Sequence, residues 1–519
     1  MTFADARTWT LALNTLLLTG AVCAISLPLG SALAWLLART DLPGRRFGLT
    51  VLGLMLFVPL YLQAAAWQAG FGLQGWHTLM TGSPALLTGW IGAVWVHAVA
   101  AVPWVALIVS VGLRLVEPEL EEQALLDGSA WQVFRHVTLR GAMPAVVVAA
   151  LWVAITTAGE MTVTDLFAVR TYAEELYTRT AIGPEPGEGP LGAAPGVLLS
   201  VTLVAGGMLL CAMLAPRVRP LSLGPRWVFR LGHWRAPLAA LVAAAMFLPL
   251  VGVPLGSLCY KAGVLVTQTE TGRLRSWSAA KCLAMIVTSP WRYEREFGWT
   301  LLIAPLAATA AVVLALGLAW PARRGGLRAA PALLLSSLCL ALPGPVIGLG
   351  LIHLLNRPEV PGLVYLYDRS ILAPWLAMTI RGLPLATLTL WHGLRTVPPA
   401  MLEAAAVDGA GPLRRFWSIA LPSRLPAVAL AWVVALAVAL GDLAASILVV
   451  PPGVATLSIR IFGLLHAGVE DQVAGICLAM ILMFAAATGL AAWLAGRFAV
   501  PRAVASVTSP HGTGGDPDV

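Results

Sequence analysis

Eleven long apolar stretches constrain this chain more than any other feature of its sequence. Each is long enough to cross the hydrocarbon core of a bilayer as a helix, which takes about 20 residues. Only 11% of the residues are charged and the mean hydropathy is +0.83, whereas soluble domains carry about 25% charged residues. The sequence therefore predicts an all-α, polytopic transmembrane helical bundle of about 11 spans, near residues 10–37, 49–72, 88–113, 143–161, 193–215, 237–260, 298–320, 329–355, 371–393, 426–448 and 472–496.

The basic residues indicate how the bundle is oriented. About 20 of the 33 lie in loops on one side, for example at 39–46 and 323–328, and the positive-inside rule makes that side cytoplasmic. The net charge of +8 is then explained by topology, and no nucleic-acid binding is predicted. The stretch 10–37 is too long for a signal-peptide core and has no basic leader. We expect a multi-pass membrane protein whose N-terminus lies outside and whose C-terminus lies in the cytoplasm.

One polar segment occurs twice. "EQALLDGSAWQVFRHVTLRGAMPAV" (residues 122–146, the first elbow) and "EAAAVDGAGPLRRFWSIALPSRLPAV" (residues 403–428, the second elbow) begin 281 residues apart. Six predicted spans separate them, so the two repeats are parallel and related by a pseudo-two-fold axis. We expect a first transmembrane unit at 8–216 and a second at 294–498. Residues 217–293 would form a linker, an additional span and an external loop, and 499–519 a disordered tail.

The second elbow has the local signals of a bent helical hairpin outside the bilayer. A helix is predicted at 403–407 that ends at Asp408-Gly409, because glycine tolerates the left-handed conformation that stops helices. A second short helix follows Pro412 and carries Phe416 as an exposed apolar knob. Two such knobs on one face would suit a dimeric partner that grips helices in grooves. The alternative is a loop that packs only on its own bundle.

These residues resemble the EAA motif of type I ABC-importer permeases, and the resemblance spans two fused permease units. It implies that each elbow is a coupling helix that docks on one of two copies of an ATP-hydrolysing subunit, with a periplasmic binding protein delivering the substrate. It also implies a bacterial inner (plasma) membrane location, with a periplasmic N-terminus and a cytoplasmic C-terminus. The ferric-iron branch is most similar, while thiamine, phosphonate, sulfate and polyamine permeases share the frame. The first copy departs from the motif at Gln123 and Arg140. The motif residues are Glu122, Ala124, Asp127, Gly128, Phe134 and Pro144, then Glu403, Ala404, Ala405, Asp408, Gly409, Phe416, Pro422 and Pro426.

The chain has no phosphate-binding loop of the type GxxxxGK[ST], so ATP hydrolysis would belong to a separate protein. We predict that the chain is not an enzyme and has neither a cofactor nor a metal site. Lone histidines such as His97 are interpreted as structural. Cys259 and Cys282 flank the predicted external loop, where a disulfide is possible.

Three ionisable residues lie within predicted spans, where charges are costly and are often functional. Glu160 and Asp442 are equivalent in the repeat, whereas Ala100 lies opposite Arg381. The carboxylates either face the translocation path, or cap helices and pair with Arg381. Arg381 itself could favour anions. The segments 171–180 and 456–466 follow the acidic residues and are predicted as short amphipathic helices at the membrane surface. An ion-coupled secondary transporter that uses these three charges, or a membrane scaffold, are the alternative functions.

The path hypothesis predicts that Glu160→Gln and Asp442→Asn abolish uptake, because amides remove the charges that would contact the solute. Uptake of labelled substrate into cells or vesicles measures this. Full uptake by both variants would leave only a structural role for the carboxylates.

Overall fold

The computed structural model describes residues 6–56, 58–182, 228–269 and 272–498, together with Leu198 and Thr202. Apart from Leu198 and Thr202, the predicted span 193–215 lies outside these residues, and so does the tail 499–519. Within them, nearly all regular structure is helical, which confirms the all-α class. Five helices are long and apolar enough to span a bilayer, and they match predicted spans: Ala6–Arg39, Gly89–Leu115, Ala130–Ala158, Gly232–Gly263 and Glu294–Ala322.

Four further pairs of helices qualify as spans only when they are joined across a sharp bend. The bend at the second elbow was predicted from Pro422 and Pro426, whereas the other three were not. Counting each bent pair as one span gives up to nine among the described residues. The predicted stretch 472–496 coincides with the helix Glu470–Phe498. The bent pairs are Arg45–Met55 with Leu60–Thr81, Gly326–Ala341 with Gly344–Leu355, Pro361–Arg369 with Leu372–Arg395, and Pro412–Ser423 with Leu425–Gly441.

The segment between the halves carries the one β-hairpin of the described residues. Its strands, Val264–Thr269 and Gly272–Trp277, pair antiparallel and lead into the amphipathic helix Ala279–Arg292. Lys261 bonds Glu470, and Lys281 lies 3.3 Å from Asp471, so both lysines fasten this segment to the last helix. Cys259 and Cys282 are free thiols.

Matched hydrogen bonds in the two halves confirm the parallel repeat. The hydroxyl of Thr15 accepts from the backbone N–H of Tyr172 at 3.0 Å, and the hydroxyl of Thr300 accepts from that of Leu457 at 2.9 Å. Each bond ties the start of the first span of one half to a short helix, Tyr172–Ile182 or Leu457–His466. These two helices are the ones that the sequence predicted at 171–180 and 456–466. The other end of each first span meets an elbow.

The two short helices meet on the pseudo-two-fold axis. Tyr177 and Phe462 hold equivalent positions in the repeat, and their rings pack edge-to-face at 6.2 Å. Nearby, His466 Nε2 of the second half lies 2.9 Å from Asp165 Oδ2 of the first. Since the non-elbow ends of both halves touch each other, both elbows lie at the same end of the bundle.

Within each half, the bent helix pair is the second span (45–81 in the first half and 326–355 in the second). The fourth span is Leu139–Ala158 in the first half and Leu425–Gly441 in the second. The second span of each half lies against the end of the fourth span of the other half. The second piece of the broken span begins directly after Pro59 in the first half and after Pro343 in the second, and both prolines have the same extended backbone conformation. Gly441 lies against Pro59, and Gly159 lies against Pro343. Tyr61, just past the first break, donates to the carbonyl of Leu440 at 3.3 Å. Glycine at the end of the fourth span thus allows the two halves to approach closely at their centre.

The Asp165–His466 contact predicts a pH-dependent stability. The hydrogen bond that the His466 imidazole donates to the Asp165 carboxylate raises the pKa of His466, so the folded chain holds this proton more tightly than the unfolded chain. The contact stabilises the fold fully below about pH 6.5, the pKa of histidine in the unfolded chain. This stabilisation is lost as the pH rises through the higher pKa of His466 in the folded chain. The melting temperature of detergent-solubilised protein should therefore exceed that of Asp165→Asn at about pH 5.5, with the gap closing by about pH 8.5. A gap that widens with pH would contradict this assignment.

Candidate docking elbows and membrane ion pairs

The first elbow is two short helices joined by a capped turn. The helix Pro118–Asp127 ends before Gly128, and the Ser129 side chain accepts from the N–H of Gln132 while Gln132 bonds back to Ser129. This reciprocal capping fixes the start of Ala130–Val133. A π-helical turn, Phe134–Thr138, then leads into the span Leu139–Ala158.

The second elbow has the same order of elements. The helix Pro399–Val407 precedes Pro412–Arg415 and the π-helical turn Phe416–Ala420. Gly409 has φ +81°, which confirms the predicted left-handed stop. Gly128 instead has an extended backbone, φ −147°, because the capped serine after it makes the turn in the first elbow.

The prediction that Phe416 is an exposed knob is wrong. Phe416 is only 7% exposed and packs on the Trp320 ring at 5.0 Å. Phe134 packs in the same way on Trp35 at 5.5 Å, and the two tryptophans are equivalent in the repeat. Each motif phenylalanine therefore anchors its elbow to the end of the first span of its half.

Other apolar side chains of the elbows face solvent. Leu126 and Trp131 of the first elbow are 86% and 63% exposed, and Val407, Leu413 and Trp417 of the second are 88%, 71% and 58% exposed. Large apolar side chains on a polar loop at the surface indicate a protein-binding patch. The sequence carried this signal, because these residues interrupt two otherwise polar segments.

The remaining motif residues are mostly accessible, so they are available to a partner rather than used in the core. The exposed ones are Glu122, Asp127, Glu403, Ala404, Asp408, Gly409 and Pro422, and the half-buried ones are Ala124, Gly128, Pro144, Ala405 and Pro426.

The two elbows are fastened by different chemistry. Glu121, fully buried beside the first elbow, pairs with buried Arg39 and accepts from the Thr138 hydroxyl at 2.6 Å. Its equivalent next to the second elbow is buried Leu402. The first elbow is held by an ion pair where the second relies on apolar contact.

An additional aromatic ring covers the anchor of the first elbow. Phe229 exchanges backbone hydrogen bonds with residues 39 and 41, and its ring lies 5.6 Å from Trp35 and 5.8 Å from Phe134. In the second half, the Arg323 guanidinium stacks 3.8 Å from the centre of the Trp320 ring.

Glu160 is used both as a helix cap and as an ion-pair partner. Its carboxylate accepts from the N–H groups of Thr162 and Val163 at 2.7 and 2.9 Å. His97 Nε2 lies 3.4 Å away, while His97 Nδ1 contacts the carbonyl of Ala93 at 2.8 Å. The imidazole therefore lies between two acceptors, the Glu160 carboxylate and the Ala93 carbonyl.

Asp442 has the same two uses in the second half. One carboxylate oxygen accepts from the N–H of Ser446 at 3.0 Å, and the other lies 3.7 Å from Arg381 Nε. The capping and pairing roles that the sequence left open are both present. Whether the carboxylates also contact a solute remains a hypothesis.

His97 is the residue that sequence comparison missed. It lies three positions before Ala100, the residue aligned with Arg381, and hence one turn along the same helix face. In space it is the counterpart of Arg381, since each base contacts the repeat-related carboxylate. A search for bases within one turn of the aligned position would have found it.

The buried ion pair predicts a strong, non-additive effect. Glu121→Leu leaves Arg39 buried without a partner, which should cost about 3–5 kcal/mol of stability. Arg39→Met combined with Glu121→Leu should recover most of that loss, because the second half packs Leu402 at the equivalent position. Thermal unfolding of the solubilised single and double variants gives the double-mutant cycle. The matched control is Glu122→Leu at an exposed position, which should change the stability by about 0.5 kcal/mol or less. Additive losses would rule out the pair as the source.

Comparison with known proteins adds a family and several relatives. Residues 26–220 and 303–500 each match the family described as "Binding-protein-dependent transport system inner membrane component". The putrescine transport system permease protein PotI of Escherichia coli (strain K12) is 30% identical over 198 residues, covering 38% of this chain and 70% of PotI. The molybdenum transport system permease protein ModB of the same strain is 28% identical over 222 residues, covering 40% of this chain and 93% of ModB. The two family matches, at 26–220 and 303–500, cover both halves of the chain. The chain therefore belongs to the family of binding-protein-dependent transport system inner membrane components, as a fusion of two units.

Proposed function

We propose that the chain forms the membrane pathway of an ATP-driven importer from its two units. Two copies of a separate ATPase subunit would bind the two elbows, and a binding protein would deliver the solute at the opposite end. The observation that carries this proposal is the pair of elbows at one end of the bundle, each presenting exposed apolar side chains on a buried aromatic anchor.

The fold supplies a route for mechanical coupling. Each elbow continues through a π-helical turn into the fourth span of its half, Leu139–Ala158 or Leu425–Gly441. The far end of that span lies against the broken span of the other half, through Gly159 and Pro343 or Gly441 and Pro59. Closure of the ATPase subunits would pull the elbows together and shift these contacts as rigid bodies, alternating access to a central cavity.

The distribution of arginines supports the orientation of the importer. The elbow end carries the basic loops, so we place it in the cytoplasm of a bacterium. The N-terminus and the short helices Tyr172–Ile182 and Leu457–His466 then lie on the periplasmic side. The functional units we propose are 8–216 and 294–498, joined by the linker and additional span of 217–293.

The ion pairs lie where a path between the halves would run. Glu160 directly follows Gly159, and Asp442 follows Gly441, at the two glycine–proline contacts. We therefore assign Glu160, Asp442 and Arg381 to the wall of the path near its periplasmic end. An ion-coupled transporter could use the same charges, but it would give the elbows no role.

The solute is a small charged molecule. Resemblance to the ferric-iron branch makes ferric iron the first candidate, while the names of the relatives add putrescine and molybdenum as molybdate. The uptake of each of these three solutes should be measured in cells that express the chain with its cognate ATPase and binding protein. The one that is taken up identifies the solute.

The elbows predict a defined binding defect. Trp131→Glu or Trp417→Glu should weaken capture of the cognate ATPase subunit at least about tenfold, because each puts a charge into an apolar contact, and the double variant should capture none. The matched control is Trp234→Glu, a residue that is 60% exposed outside the elbows. Affinity pull-down from solubilised membranes measures capture, and equal melting temperatures verify folding. Undiminished capture by the double variant would overturn the proposed docking.

A further inference from the structure

Arg381 is a partly exposed charge within a predicted membrane span. It is the tenth residue of the helix Leu372–Arg395, and its side chain is 33% exposed. Ionisable residues at this depth in a membrane face the bundle interior or a water-filled cavity, because exposure to lipid is too costly. The partly exposed guanidinium therefore marks an aqueous surface within the bundle.

The acidic partners do not present their charges in the same way. Asp442 is 3% exposed, and its carboxylate is taken up by the N–H of Ser446 and by Arg381 Nε. Glu160 is 14% exposed and is bonded to two backbone N–H groups and near His97. His97 is itself buried, at 3% exposed. Of these four groups, the guanidinium is the one most accessible to a solute.

The Arg381–Asp442 pair is also close in the chain to a contact between the two halves. Ala444, two residues after Asp442, lies against Gly344 at the break of the second span. The neighbouring residue at that break, Pro343, lies against Gly159 of the first half. The pair Arg381–Asp442 is thus beside the contact between the halves, where the proposed path runs.

We propose that Arg381 is an anion-binding residue of the path and that the transported solute is a small oxyanion. The inference rests on the proposed import function. A guanidinium offers several N–H donors in one plane and binds two oxygens of one anion at a time. The first half has Ala100 at the aligned position, so the solute would be held from one side. Among the candidate solutes, this selects molybdate over putrescine and ferric iron.

Charge-selective thiol labelling tests this without knowledge of the solute. Leu388 lies two turns from Arg381 and is 39% exposed. The reporter is Leu388→Cys in a chain whose six native cysteines are replaced by alanine. Detergent-purified protein is reacted with two methanethiosulfonates of similar length, the anionic ethylsulfonate and the cationic ethyltrimethylammonium. We expect the anionic reagent to react about fivefold faster, relative to its rate with a free thiol, than the cationic one.

Three companion variants assign the preference to Arg381. Arg381→Gln should reduce the ratio to one, and so should Arg381→Gln with Asp442→Asn, which removes both charges of the pair. Asp442→Asn alone should raise the ratio, because the guanidinium loses its counter-charge. The matched control is Arg395→Gln, which removes an exposed positive charge two turns from Leu388 in the other direction and should leave the ratio unchanged because water screens it.

Each contrary result overturns the proposal. A ratio near one with Arg381 present, or a cationic preference, would show that the path does not favour anions. No reaction with either reagent would place this face of the helix in lipid. If Arg395→Gln changes the ratio of the two rates and Arg381→Gln does not, the anion preference comes from charges at the elbow end and not from Arg381. None of these results depends on capture of the ATPase, so failure here and failure of the proposed function are distinguishable.

Discussion

The contact between a glycine that ends one fourth span and a proline that breaks the opposing second span organises this bundle. It occurs twice, at Gly159 with Pro343 and at Gly441 with Pro59. A broken helix leaves backbone groups without helical partners, and such groups are tolerated at membrane depth only when protein or water covers them. Each half covers the break of the other half, so neither break is stable without the opposing half. This mutual dependence accounts for two parallel units that act as one body.

The two carboxylates within the bundle are likewise covered by hydrogen-bonding partners. Glu160 and Asp442 each accept backbone N–H groups just beyond a fourth span and each contact a base from the third span. Charges that are bonded in this way are retained at lower cost than isolated ones. The bases differ between the halves, His97 in one and Arg381 in the other. The repeat therefore preserves the geometry of the pair while it changes which charge is accessible.

The sequence predicted what depends on local pattern and missed what depends on distant partners. Apolar length predicted the spans, and the two polar copies predicted the elbows and the parallel repeat. The burial of Phe416 was missed, because it depends on Trp320, which lies 96 residues earlier. The sharp bends at Pro59 and Pro343 were missed because proline also occurs inside straight spans, for example Pro103. His97 was missed because its helix contacts Glu160 one turn away from the aligned position. The hairpin of 264–277 was missed because each of its strands is only six residues long and lies in a segment that was interpreted as a loop.

The elbows show how fusion of two units permits divergence. In the first half, Glu121 with Arg39 and the additional ring of Phe229 hold the elbow, whereas the second half uses Leu402 and Arg323. Two identical chains could not differ in this way, since a substitution would change both sites.

The chain has only two lysines, Lys261 and Lys281, and both lie in ion pairs with the start of the last helix. Lysine amines are therefore confined to the end of the molecule that carries the hairpin. Acetylation, ubiquitin attachment and amine-directed cross-linking have no lysine target near the elbows, so any covalent control of that end would have to use other residues.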